Sequence, residues 1–209
     1  MWYWIKTPII VKKIFRNQVW DIPSNKNSIY LTFDDGPTPG LTDKILSILS
    51  KYNAKATFFC VGKNVKKYPD LYNQIVSSGN SFGNHSMTHP MGWGKSKKMY
   101  LKNVEEAEKL INSNLFRPPY GKINFKSNKA LQKKYKIIMW DVVGGDFDKN
   151  CSETQLIKNI TENAERGSII VLHDNMNVKE KMLNALPKII EKLQRDGYNF
   201  EAIPFSPLR

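Results

Sequence analysis

Residues 29–37 read IYLTFDDGP, a short run of β-branched and aromatic residues that ends in two adjacent carboxylates and a Gly-Pro turn. The run has the length and composition of a buried strand. Similar runs recur along the chain, and amphipathic stretches with helical spacing follow them. This alternation predicts a parallel sheet, open or closed into a barrel, with the active site at the carboxyl ends of its strands.

The whole chain follows this alternation. The predicted strands cover residues 29–33, 56–61, 81–83, 116–117, 137–140 and 169–172. The predicted helices cover residues 42–52, 68–78, 97–112, 124–134, 154–166 and 181–195. Because the 209 residues contain no low-complexity tract and no repeat of fixed period, we expect one domain, residues 27–209, preceded by a segment, residues 1–26, that packs on it.

The composition is that of a globular protein, with 41% hydrophobic and 24% charged residues, which excludes a disordered chain, a collagen-like fibre and a coiled coil. The net charge of +13 favours anionic partners. However, 27 of the 32 basic residues are Lys, spread without a dense cluster. Since recognition of bases and phosphates relies on Arg, we expect no nucleic-acid partner. An anionic cell-wall polymer or membrane surface is a candidate neighbour.

The N-terminal residues 1–11 are apolar but interrupted by Lys6 and Pro8, and the run is too short for a transmembrane helix. Basic residues follow the run instead of preceding it, and no small-residue cleavage pattern comes after them. The sequence therefore predicts no secretory signal, and a cytoplasmic location is the default expectation. Weak peripheral contact with a membrane surface is an alternative to packing on the domain.

The two cysteines, Cys60 and Cys151, do not make a disulfide framework or a metal site. Cys60 lies in an apolar run, which predicts a buried free thiol.

The candidate chemistry lies at the predicted strand ends. Asp34 and Asp35 end the first strand, where one carboxylate can bind a cation and the other act as a base, although a solvated turn fits this motif equally well. His85 and His89 follow the third strand with the four-residue spacing that lets two rings reach one metal ion from a helical turn. His173, the third and last histidine, follows the sixth strand. Because all three histidines of the chain follow predicted strands, the sequence indicates a metal-dependent hydrolase.

Five blocks in order resemble the polysaccharide deacetylases of the NodB-homology group, also called carbohydrate esterase family 4. The blocks are residues 32–37 (TFDDGP), 84–89 (NHSMTH), 117–120 (RPPY), the region of Asp146 and Phe147, and 172–174 (LHD). The resemblance covers roughly residues 28–205. It implies a deformed (β/α) barrel and a hydrolase that removes N-linked acetyl groups from glucosamine-type units, as in chitin or peptidoglycan, and releases acetate.

The resemblance also implies roles for individual residues. Asp35, His85 and His89 correspond to the ligands of one divalent metal ion, for which zinc is expected and which cobalt, nickel or manganese could replace. Asp34 corresponds to the general base, and Arg117 to the residue that pairs with it.

Further family positions match around the substrate. His173 corresponds to the general acid, and Asp146 to the residue that orients its ring. The backbone N–H of Tyr120 corresponds to the oxyanion donor. Leu172 and Trp140 are expected to line the pocket for the acetyl methyl group.

Two positions depart from the family pattern. Phe147 replaces a Trp, which keeps an apolar groove wall but removes an indole donor, and Asn80 replaces a His before the metal motif. Neither change removes a catalytic group, so we expect activity to be kept, and the resemblance leaves the substrate preference open. An O-acetyl esterase acting on xylan, a deacetylase of a small amide, or a non-catalytic carbohydrate- or nucleic-acid-binding module are the alternative functions.

Overall fold

Strand β1 (Ser28–Asp34) is the fully buried centre of a parallel sheet in the computed structural model, which describes residues 3–23 and 26–208. The other strands are β2 (Ala56–Cys60), β3 (Ser81–Asn84), β4 (Leu115–Phe116), β5 (Lys136–Ile137), β6 (Val142–Val143), β7 (Ile169–His173) and β8 (Asn199–Phe200). The strands follow the order β5-β4-β3-β2-β1-β7-β6, and β8 pairs with the start of β1.

All six predicted helices are present. They are α2 (Thr42–Lys51), α4 (Pro69–Ser77), α5 (Lys97–Glu108), α6 (Phe125–Leu131), α7 (Glu153–Thr161) and α8 (Lys179–Arg195). Ser96, Asn124 and Ser152 cap three of them, because each side chain accepts a hydrogen bond from the backbone N–H three residues later. Among residues 3–23 and 26–208, every helix is too short or too polar to cross a lipid bilayer.

Two α-helices and two strands of the described residues were not predicted from the sequence. They are α1 (Ile9–Ile14), α3 (Gly62–Lys67), β6 and β8. The helices have six residues each and the strands two, which is too short for a periodic pattern to be recognised. The predicted fifth strand also ends earlier than expected, since β5 stops at Ile137 and Trp140 lies beyond it.

The two faces of β1 have different surroundings, because successive side chains of a strand point to opposite faces. Ile29, Leu31 and Phe33 lie in the main hydrophobic core together with residues of the helices α2 and α8. Tyr30, on the other face, packs with residues of β2, β4 and β7 inside the curl of the sheet. The sheet with helices on its outer face confirms the predicted deformed (β/α) barrel.

The N-terminal segment lies between the two edge strands of the sheet, β5 and β6. Val19 donates a backbone hydrogen bond to Ile137 (2.8 Å), and Val143 donates one to Ile5 (2.8 Å). Ile10 and Ile14 on α1 stay exposed, at 64% and 67%. The segment thus occupies the opening in the barrel wall, while the contact with a membrane surface stays a prediction.

Candidate active site

The carboxyl ends of β1, β3 and β7 gather the polar residues that the sequence singles out. Asp34 is aligned with His173 on the neighbouring strand β7. His85 directly follows β3, which is separated from β1 by β2 alone. Adjacent strands lie about 4.8 Å apart, so residues distant in the sequence meet at this edge. The predicted position of the site at the strand ends agrees with this arrangement.

Asp34 and Arg117 form a buried ion pair at the floor of the site. An Arg117 Nη1 atom lies 2.7 Å from Asp34 Oδ1, and the side chains of Arg117 and Asp34 are 0% and 5% exposed. Arg117 also donates to Thr32 Oγ1 and to the carbonyl oxygens of Ile138 and Met139. These four hydrogen bonds fix the buried guanidinium, and the guanidinium in turn holds the Asp34 carboxylate in one orientation.

Asp35, His85 and His89 form a cluster of three metal donors. Asp35 Oδ1 lies 3.2 Å from His89 Nε2 and 3.7 Å from His85 Nε2, and one donor atom of each residue lies within 4.8 Å of the others. A tetrahedral ion with ligand bonds of about 2.1 Å separates its ligands by about 3.4 Å. The donor set therefore fits one divalent cation with an open side.

The protonation states of these donors also suit a cation. Burial lowers the pKa of His85, and its Nδ1 faces the carbonyl oxygen of Arg117 at 2.8 Å, so that nitrogen must carry the proton and Nε2 keeps its lone pair. Burial by itself would raise the pKa of Asp35, but the hydrogen bond from His89 and the charges of the three histidines outweigh burial and lower it. The Asp35 carboxylate is thus ionised and the His85 imidazole is neutral, which are the protonation states that a metal site requires.

The loop that carries His85 and His89 is not the helical turn that their spacing suggested. Ser86 and His89 both have left-handed backbone angles, with φ of 66° and 56°. Asn84 Oδ1 accepts a hydrogen bond from the Ser86 N–H (2.7 Å), and Ser86 Oγ accepts one from the His89 N–H (3.1 Å). Local side-chain hydrogen bonds thus replace the helical ones, and the loop brings the two imidazole centroids to 4.8 Å.

His173 and Asp146 form a second pair across the site. His173 Nδ1 lies 3.0 Å from Asp146 Oδ1, and the His173 backbone N–H donates to the other oxygen of the same carboxylate at 2.7 Å. Burial by itself would lower the pKa of His173, but the charge and hydrogen bond of Asp146 outweigh burial and raise it to about 9. The imidazole is therefore protonated at neutral pH and able to donate a proton.

Tyr120 lies on the short helical turn Pro119–Gly121 at the rim of the site. Its φ is 61°, and its ring contacts that of His89 at 4.6 Å between centroids. The N–H groups of the next two residues donate to Pro118 and Pro119, whereas that of Tyr120 has no acceptor in the described part of the chain. The geometry leaves this N–H available to a ligand.

Trp140 supports this rim. A Cβ atom on Gly121 would come within 2.6 Å of the Trp140 ring, so only glycine allows the loop to lie on the indole. The Arg117 guanidinium lies 5.7 Å from the centre of the same ring. Trp140 therefore packs beneath the loop of Tyr120 and beside the buried ion pair.

Leu172 is not brought to the site by the structure, which corrects the expectation that it lines an acetyl pocket. Its side chain is 0% exposed in the main core, close to Gly144 and on the helix-facing side of the sheet, where its register partner Phe33 also lies. Strand alternation explains the difference: His173 faces the site, so its neighbour Leu172 must face away and Val171 takes the inward position.

Phe147 forms a side wall of the site. Its ring lies edge-on to that of His173, with 5.3 Å between the centroids, and the ring of Tyr3 lies 5.0 Å away on the N-terminal segment. Asn80, the other departure from the family pattern, lies before β3 at its far end, where its Oδ1 accepts a hydrogen bond from the Ala56 N–H (3.0 Å). It is therefore a structural link between strands and not part of the site.

Two residues of the site were missed from the sequence. Asn175 Nδ2 donates to Asp35 Oδ2 at 2.7 Å and so occupies the carboxylate oxygen that faces away from the histidines. Thr32, on the inner face of β1, accepts a hydrogen bond from Arg117. The signal for Asn175 was its place two residues after His173 at a strand end, whereas nothing local marks Thr32.

Comparison with known proteins agrees with this geometry. The sequence profile of the family described as polysaccharide deacetylase matches residues 21–138. A peptidoglycan-N-acetylglucosamine deacetylase of Bacillus cereus is 33% identical over 193 residues, which cover 88% of this chain and 90% of the relative. A chitooligosaccharide deacetylase of Azorhizobium caulinodans is 31% identical, with 88% and 96% covered.

A solved structure is similar over almost the whole fold. The crystal structure of the Bc1960 peptidoglycan N-acetylglucosamine deacetylase superposes with a TM-score of 0.87 at 31% identity and covers 95% of each chain. The matched profile spans more than half of the chain, and the relatives match at nearly full length. This chain belongs to the polysaccharide deacetylase family.

Proposed function

We propose that this hydrolase removes N-linked acetyl groups from N-acetylglucosamine-type units of a polysaccharide or oligosaccharide, chitin-like or peptidoglycan-like, and releases acetate. One observation carries the proposal. Three metal donors, an ion-paired carboxylate and a protonated imidazole converge at one edge of the sheet, and each suits one task of amide hydrolysis.

Asp35, His85 and His89 hold the divalent ion in this proposal. Two imidazoles and one carboxylate favour zinc over the hard cations that prefer oxygen ligands. When bound, such an ion acts as a Lewis acid that polarises the acetyl carbonyl and makes water more acidic. Asn175 and the backbone carbonyl of Arg117 keep the donors in place by hydrogen bonds to Asp35 and His85.

Asp34 is the general base. One of its oxygens is bound to Arg117, and the other lies 3.9 Å from His85 Nε2, on the side of the metal donors. The second oxygen is therefore placed to accept a proton from water that attacks the acetyl carbon. The hydrogen bond from the buried Arg117 fixes the orientation of the carboxylate for that transfer.

His173 is the general acid. An amine is a poor leaving group unless it is protonated, and His173 carries the proton that the leaving nitrogen needs. Asp146 holds Nδ1, so the proton is donated from Nε2. The Tyr120 N–H stabilises the oxyanion as the carbonyl is attacked. The products are acetate and a free amine.

Acetate release from N-acetylglucosamine oligomers tests the proposal. The metal-stripped protein should release acetate only after zinc is added, and Asp34→Asn should lower kcat by at least about 100-fold with zinc present, the scale of a lost general base. Asp70→Asn is the matched control, because Asp70 is an exposed carboxylate on the surface helix α4. Zinc-independent release, or full activity of Asp34→Asn, would contradict the proposal.

A further inference from the structure

The helix α1 exposes apolar side chains and turns a charged one inward. The Lys12 ammonium lies 2.7 Å from a carboxylate oxygen of Asp21 and 2.6 Å from one of the buried Asp141. Ile10 and Ile14 are four residues apart, hence on one face of the helix, and both are largely exposed. A helix on the surface of a globular protein ordinarily buries its apolar residues and exposes its charged ones. The packing of the domain therefore does not account for the outer face of α1.

Exposed apolar side chains are concentrated on this helix. Ile9 is 68% exposed, and Phe15, directly after the helix, is 50% exposed. In the part of the chain that the structure describes, α1 carries all three of the exposed isoleucines. We call Ile9, Ile10, Ile14 and Phe15 the apolar patch. Because exposed apolar groups that cluster on a surface mark interaction sites, the patch is a candidate contact surface.

Hydrogen bonds on both sides of α1 hold the patch outward. Before the helix, the Thr7 N–H donates to the carbonyl of Asp141 and its Oγ1 donates to that of Trp140, both at 2.8 Å. After the helix, Trp20 Nε1 donates to the carbonyl of Phe15 at 3.2 Å. A helix that is already fixed loses little conformational freedom when it binds, which favours association. The exposure of the patch is thus a property of the fold and not a sign of loose packing.

The surroundings of the patch are positively charged. Residues 1–20 contain four basic residues and no acidic one. Of the four, Lys13 and Arg16 are exposed, and neither forms an ion pair within the described residues. Asp21, the first carboxylate after this stretch, is already paired with Lys12. Unpaired cations beside exposed isoleucines match a partner with an apolar interior and an anionic rim, which is the character of a bilayer that contains anionic lipids.

We propose that α1 docks on the surface of a bilayer that contains anionic lipids. The apolar patch enters the region between headgroups and acyl chains, and Lys13 and Arg16 lie at the headgroup phosphates. With six residues, α1 is too short to span the bilayer and lies along its surface. Lys12 holds the helix to the domain and takes no part in the contact. Docking of this kind does not depend on the proposed hydrolase activity.

Sedimentation with vesicles tests the docking. The full chain should bind vesicles of phosphatidylglycerol and phosphatidylcholine more tightly than vesicles of phosphatidylcholine alone. We expect Ile10→Ser combined with Ile14→Ser to lower the partition coefficient at least about tenfold, because two inserted side chains are lost. Val76→Ser combined with Met99→Ser is the matched control, since both residues are exposed on other helices. Equal binding of wild type and the isoleucine variant would overturn the proposal.

The charge contribution has a separate readout. Lys13→Gln combined with Arg16→Gln should weaken binding to the anionic vesicles about 25-fold at low salt, roughly fivefold for each charge, and leave binding to neutral vesicles unchanged. Lys97→Gln combined with Lys98→Gln removes the same charge from exposed positions on α5 and should have a smaller effect. If both pairs weaken binding equally, the attraction comes from the net charge of the chain and the docking of α1 is wrong.

A fluorescent label shows which surface touches the bilayer. Ile14→Cys can be labelled selectively, because both native cysteines are buried. The emission of a polarity-sensitive label should move to shorter wavelength when anionic vesicles are added, whereas the same label on Met99→Cys should not respond. The same response at both positions would contradict docking through α1. A label on Ile14→Cys that responds to protein concentration, but not to vesicles, would reject the bilayer and assign the patch to contacts between copies of the chain.

Discussion

Single side chains of one type take different roles here because their surroundings differ. Burial lowers the pKa of His85, whose Nδ1 faces a backbone carbonyl. His173 is buried too, but the charge and the hydrogen bond of Asp146 outweigh burial and raise its pKa to about 9. A neutral imidazole can bind a metal, and a protonated one can donate a proton. Environment therefore separates the proposed metal ligand His85 from the proposed acid His173. In the same way it distinguishes Asp34, which is paired with Arg117, from Asp35, which lies beside the imidazoles.

The pH profile of the reaction should depend on Asp146. A general acid acts only while protonated, so kcat/KM should fall as pH rises through about 9, the pKa of His173. Asp146→Asn removes the charge that raises this pKa, and the alkaline limb should move to lower pH. Profiles of kcat/KM from pH 6 to 10, in steps of about half a unit, would measure the shift.

The control for this profile is Asp196→Asn, at an exposed position after α8. Its profile should match that of wild type. An alkaline limb that stays in place in Asp146→Asn would remove His173 from the role of general acid.

At the scale of elements, the N-terminal segment forms part of the barrel wall. Its residues Lys6 and Lys12 lie 2.7 and 2.6 Å from the two oxygens of the fully buried Asp141, between β5 and β6. Burial by itself would raise the pKa of Asp141, but hydrogen bonds from both lysines and Ser168 lower it. Asp146 and Phe147, which contact His173, follow Asp141 a few residues later in the chain. By holding Asp141, the N-terminal segment therefore supports the loop that positions His173.

Removing one of these lysines should destabilise the fold. Lys12→Met keeps the apolar stem but takes an ammonium from a buried carboxylate, and we expect the free energy of unfolding to drop by about 2 kcal/mol. Urea denaturation at neutral pH measures it. Lys13→Met is the control, since Lys13 is exposed on the same helix and should change stability by less than about 0.5 kcal/mol. If Lys12→Met changed the free energy of unfolding no more than Lys13→Met does, the ion pair of Lys12 with Asp141 would not stabilise the fold.

At the scale of the whole molecule, the buried site makes stability depend on pH. Asp174 is 0% exposed, and its Oδ1 has no hydrogen-bond partner among the described residues. Burial raises its pKa to about 7, while Thr42 opposes the shift with a hydrogen bond to Oδ2. The folded state thus holds a proton that the unfolded chain releases near pH 4, so this contribution to stability is lost as pH rises from about 4 through about 7. His85, with a lowered pKa, has the opposite effect in part of this range.

A difference measurement isolates the Asp174 contribution. Asp174→Asn cannot ionise, so its stability relative to wild type should increase between pH 5 and pH 8. Urea unfolding of the metal-free proteins at the two pH values gives the change. The His85 contribution cancels in the difference because both proteins contain it. A stability difference that is the same at both pH values would show that Asp174 does not titrate in this range.

The sequence by itself established the class of fold and predicted that most residues of the candidate site lie at the strand ends. Strand composition and helical spacing are local properties, so β1, β2, β7 and the six longer helices could be recognised without a partner. Residues that follow strands converge at one edge of a parallel sheet, and this general rule predicts that Asp34, His85 and His173 lie close together.

Tertiary structure decided what depends on contacts between distant residues. The inward direction of Val171 and outward direction of Leu172 follow from pairing with β1, and the non-helical histidine loop follows from hydrogen bonds of Asn84 and Ser86. The pKa of His173 depends on Asp146, which lies 27 residues away in sequence. Such properties are set by burial and by non-local partners, and a one-dimensional pattern carries neither.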